Sequence, residues 1–163
     1  MNSPDQTSPD LLNQNAQNNI LPFGVKLQLE AQEALVKDYL LSLRVNIKGL
    51  TYNLLYFNST ALQGRDKKIE GCEGLADTLS DIMADIKDGH GLGVVDKIAK
   101  LGNLLESISK QFTLNLSLIR LLQSFQIDED KKNTISEYLF KIELILRNLE
   151  IAYKKFQKAD NKR

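Results

Sequence analysis

The sequence predicts an all-α protein: an antiparallel, up-down-up-down four-helix bundle with a long first helix and a disordered N-terminal arm. Three observations carry that expectation. Val36, Leu40, Leu43, Ile47, Leu50, Leu54, Phe57 and Ala61 recur at alternating intervals of four and three, the heptad spacing that keeps apolar side chains on one stripe facing a neighbouring helix. A helix with such a stripe is not stable alone in water, and the later segments repeat the rhythm and so supply the missing surface. Turn-forming residues cluster between these segments, and short turns between long amphipathic helices make sequential neighbours antiparallel.

Composition agrees. A chain of 163 residues, 42% hydrophobic and 26% charged, reads as one globular domain with a tail, large enough to bury a core. The 21 basic and 21 acidic residues cancel, so no global field draws the chain to nucleic acid or to anionic lipid. Its longest apolar runs are about four residues, against the roughly 20 a membrane span needs. The N-terminus has no basic stretch followed by an apolar one, so no secretory signal is read. The single Cys72 has no partner for an internal disulfide, and the expected location is the cytoplasm.

Taken in order, residues 1–20 are polar and repetitive, with Ser3-Pro4-Asp5 echoed by Ser8-Pro9-Asp10 and an Asn/Gln-rich run after them. Leu11, Leu12 and Ala16 bury too little surface to offset the entropy of ordering the arm. The Ser-Pro pairs match proline-directed phosphorylation, but ordinary disordered composition explains them. Ile20 to Gly24 forms an apolar clasp, and the bundle is expected over 21–158. The first helix is expected over about 25–62, with Gly49 as its one weak point. The second is expected over about 66–88, with Ile69, Cys72, Leu75, Leu79, Ile82 and Ile86 on one face. Its other face carries Asp77, Asp81 and Asp85. Gly71 and Gly74 weaken the first turns, which favours a start nearer Glu73. The third is expected over about 93–126. Phe112 to Ile119 alternates apolar and polar residues like a strand, but two helical stripes also run through it and no partner strand exists elsewhere. The fourth, over about 129–158, starts at Asp128 as N-cap and carries Ile135, Tyr138, Ile142, Ile145, Leu149 and Ala152. Residues 159–163 end the chain in bases that complement the helix dipole.

The sequence offers little chemistry. One His and one Cys, with no Glu-x-x-His, argue against a metal site or a bound cofactor. No Gly-x-Ser-x-Gly elbow is present, and His90 lies in a glycine turn without an evident partner. Gly89-x-Gly91-x-Gly93, with Lys97 and Lys100 beyond it, is best explained as a helix–helix reversal, because dinucleotide and phosphate loops follow a strand. Asn58-Ser59-Thr60 matches a glycosylation acceptor by chance, and Cys72 on the apolar stripe reads as an inert thiol.

What stands out instead is surplus apolar surface. Leu50 to Phe57, Leu114 to Phe125 and Tyr138 to Leu146 each carry more than one stripe needs. The topology collects these stretches at one end of the bundle, and the short second helix leaves a groove between the first, third and fourth. The resulting expectation is a non-enzymatic adaptor, assembly subunit or chaperone-like module that takes a protein partner or self-associates. Its candidate surface is Leu54, Tyr56, Phe57, Leu118, Phe125, Phe140 and Leu144. The rival reading is a membrane-active bundle that inserts amphipathic helices into a bilayer; balanced charge and the lack of a basic amphipathic face rank it second.

Overall fold

A computed structural model describes residues 23–89, 91–122 and 128–161. The expected arm, most of the apolar clasp, His90 and Phe125 lie outside the described residues. Among the described residues the chain forms four α-helices: α1 Phe23–Thr60, α2 Cys72–Lys87, α3 Val94–Leu122 and α4 Glu129–Asp160. A 3-10 turn at Gly91–Gly93 leads into α3, and no strand occurs among the described residues. The protein is an all-α helical bundle.

By its contacts the chain divides into two compact units, Asp38–Glu150 and Met1–Lys37 with Ile151–Arg163. Within the larger unit, neighbouring helices meet in opposite chain order. Gly71 and Gly74, ahead of and inside α2, back onto Ile108 and Leu104 of α3, while Asp85 further along α2 pairs with Lys97 earlier in α3. Gly49 of α1 backs onto Tyr138 of α4, and Tyr56 later in α1 lies under Lys131 earlier in α4, at 4.9 Å from nitrogen to ring centre. The core is aliphatic, with Leu43, Leu50, Leu75, Ile82, Leu101, Ile108, Ile135 and Ile142 fully buried. One aromatic contact crosses it, Phe57 against Phe112, edge to face with ring centres 5.3 Å apart. Every residue of the heptad seam from Val36 to Ala61 is buried.

The second helix starts later than its expected boundary at 66. Residues 61–71 form a connector whose left-handed turns fall on Gly64 and Gly71, at φ 79° and 123°, where a side chain would be strained. From residue 65 on, Asp66, Lys67 and Lys68 are exposed and Ile69 alone is buried, so a helix through them would gain little core. The backbone is held by side-chain amides instead. Asn58 donates to the carbonyl of Ile69 and accepts from its N–H, at 3.0 and 2.9 Å. Gln111 of α3 makes the same reciprocal pair with Glu70, at 2.8 and 2.9 Å. Asn58 of the glycosylation match is thus engaged by the fold.

The stretch that alternates like a strand is helical throughout its length in α3. Two of its polar members bond inside the helix, Asn115 donating to the carbonyl of Gln111 and Ser117 to that of Thr113, and Thr113 is exposed to water, so the alternation does not oppose the helix. At α4, the Asp128 carboxylate accepts from the N–H groups of Asp130 and Lys131 at 3.0 and 3.3 Å, the expected N-cap.

The smaller unit buries Leu29, Val36, Ala152, Tyr153 and Ala159, with the Tyr153 and Phe156 rings 6.0 Å apart. Phe23, Leu27 and Leu35 are exposed there, and Glu33 pairs with Lys37 one turn on.

Candidate interaction surface

The structure corrects part of the surface expected from sequence. Leu54 and Phe57 are 2% and 4% exposed and belong to the core, because the heptad seam that contains them is consumed by the chain's own helices. Tyr56, Leu118, Phe140 and Leu144 are exposed. Each is turned away from the buried stripe of its own helix, so they stand on α1, α3 and α4 separately. Along α4, Phe140 lies roughly 14 Å beyond Lys131, the residue that covers Tyr56, at about 1.5 Å per residue. Phe140 and Leu144 are one turn apart on α4, and Tyr56 stands apart from them along the helix axis.

The longest uncovered apolar row lies elsewhere, on the outward side of α1. Leu41, Val45, Tyr52 and Leu55 are 52%, 68%, 69% and 63% exposed, with Lys48 in the same row. Their intervals continue the alternation of four and three, out of register with the seam at 40, 43, 47 and 54. Since consecutive helical residues are about 100° apart and the row leads the seam by one residue at 41, 48 and 55 and by two at 45 and 52, the centres of the two rows lie about 150° apart round the helix. The inner row is buried; the outer row spans roughly 21 Å at 1.5 Å per residue. Sequence reasoning noticed the widened stripe near Tyr52 but missed Leu41, Val45 and Leu55. The signal that identifies them is this second, offset four-three row.

A groove of about 480 Å³ runs beside the row, between α1 and α2. Ile47, Leu79 and Met83 form its apolar floor, Arg44 and Lys48 stand on the α1 side, and Ala76 and Ser80 on the α2 side. A second groove, about 300 Å³, lies between α3 and α4 around Gly102. Neither of these two grooves is the one expected between the first, third and fourth helices.

The charges around the α1 row are arranged in banks. Glu73, Asp77 and Asp81 are exposed on α2. Asp85, the fourth carboxylate of that face, receives Lys97 from α3 in a short ion pair, a partner invisible in the local sequence of α2. The hydrogen bond that Lys97 donates to Asp85 raises the ammonium above its ordinary value; the charges of Asp85 and Asp81 add to this, and partial desolvation opposes it. Lys97 is therefore committed inside the fold. At Cys72, burial pushes the thiol above its usual value against the opposing effect of a hydrogen bond with Thr51, which keeps it protonated and unreactive at neutral pH.

Among the described residues no group of three or more His, Cys, Asp or Glu side chains converges to hold a metal, and no helix is long and apolar enough to cross a membrane. The arrangement is an exposed face of mixed apolar and charged side chains on α1. No known family, curated protein or solved structure matches the chain.

Proposed function

We propose that this chain is a non-enzymatic interaction module of the cytoplasm, an adaptor, assembly subunit or chaperone-like bundle that docks a protein partner along the outward face of α1. The observation that carries the reading is the placement of Leu41, Val45, Tyr52 and Leu55. A helix whose inner stripe is already buried has no intramolecular use for a second one, and an exposed apolar row edged by charge is the usual form of a docking face. The test is a photo-crosslinking residue at Val45, compared in cells with the same residue at Lys110 on α3. A discrete adduct at position 45, lost when Leu55 is changed to Asp, is expected. Equal or absent adducts at both positions overturn the reading. Quantitative co-sedimentation of the purified chain with anionic liposomes would instead favour the membrane-active alternative.

A further inference from the structure

We draw no further inference here: the strongest candidate, the exposed apolar row on the outward face of α1 with the groove beside it between α1 and α2, belongs to the docking face already proposed, and nothing in the structure shows what covers it.

Discussion

The ring of Tyr138 on α4 occupies the space in which a β-carbon on Gly49 of α1 would stand. Gly49 is therefore a close helix crossing and not a break, and α1 runs unbroken through it. Gly102, in the middle of α3, is the opposite case: nothing lies within 4 Å of the position its β-carbon would take. The two glycines should respond to alanine with opposite signs. Gly102→Ala should stabilise the protein by about 0.5–1 kcal/mol, the helix-propensity gain alone. Gly49→Ala should destabilise it by about 1 kcal/mol, because the steric cost of displacing a half-buried ring exceeds that gain. In a Tyr138→Ala background the Gly49→Ala change should become stabilising. Urea unfolding of the wild type, the three single variants and the double variant measures all of these.

The amide clamps on the connector give a second expectation. Asn58→Leu leaves both the N–H and the carbonyl of Ile69 without their partner, and Ile69 is buried. Loss of about 1–3 kcal/mol is expected. Gln111→Ala removes the equivalent clamp on Glu70, where the backbone is exposed and water replaces the amide, so a loss nearer 0.5 kcal/mol is expected. Hydrogen exchange at the Ile69 amide should accelerate in the first variant and stay slow in the second.

Leu54 and Leu55 are adjacent in sequence and opposite in role. Leu54→Ala opens a cavity in the core and should cost about 2–5 kcal/mol. Leu55→Ala trims an exposed side chain and should change stability by no more than about 0.5 kcal/mol. Paired thermal melts decide this: similar losses for the two would mean that the outward row is buried in the chain's own fold.

Stability should fall on the alkaline side. Cys72 and Lys97 both hold their protons more tightly in the folded chain than in the unfolded one. Their contribution is complete below the unfolded values and is lost as pH rises through the folded ones. The first loss is expected above about pH 8.5, from the thiol, and the second above about pH 10.4, from the ammonium. Cys72→Ala should remove the first step, and Lys97→Met with Asp85→Asn the second, in unfolding free energies measured from pH 7 to 11.

Much of the fold was legible because burial followed local spacing. The seam from Val36 to Ala61, the N-cap at Asp128 and the helix through Phe112 to Ile119 are all decided by residues within a turn or two of each other. The connector at 61–71 was harder to read, since its conformation depends on Gln111, far along the chain in α3. Leu54 and Phe57 were assigned both to the seam and to the surface, and a side chain can occupy only one. The outward row of α1 was hidden by the seam itself: once apolar residues fall on both sides of a helix, amphipathicity fades and no single stripe stands out. Lys97 escaped notice as the counterion of Asp85 for the same reason as Gln111, because its partner lies on another helix.

The way α2 is fastened at its ends has a mechanical consequence. Its first turn has no capping side chain, only Gly71 in a left-handed conformation, while its far end is tied to α3 through Asp85 and Lys97. The connector just ahead of that first turn is itself held by the Asn58 and Gln111 amides, so α2 is fastened on both sides and should open as one piece with the connector instead of fraying from one end. The Cys72 thiol, shielded between those fastenings, would be uncovered only in that opening, and its alkylation rate would serve as a clock for it.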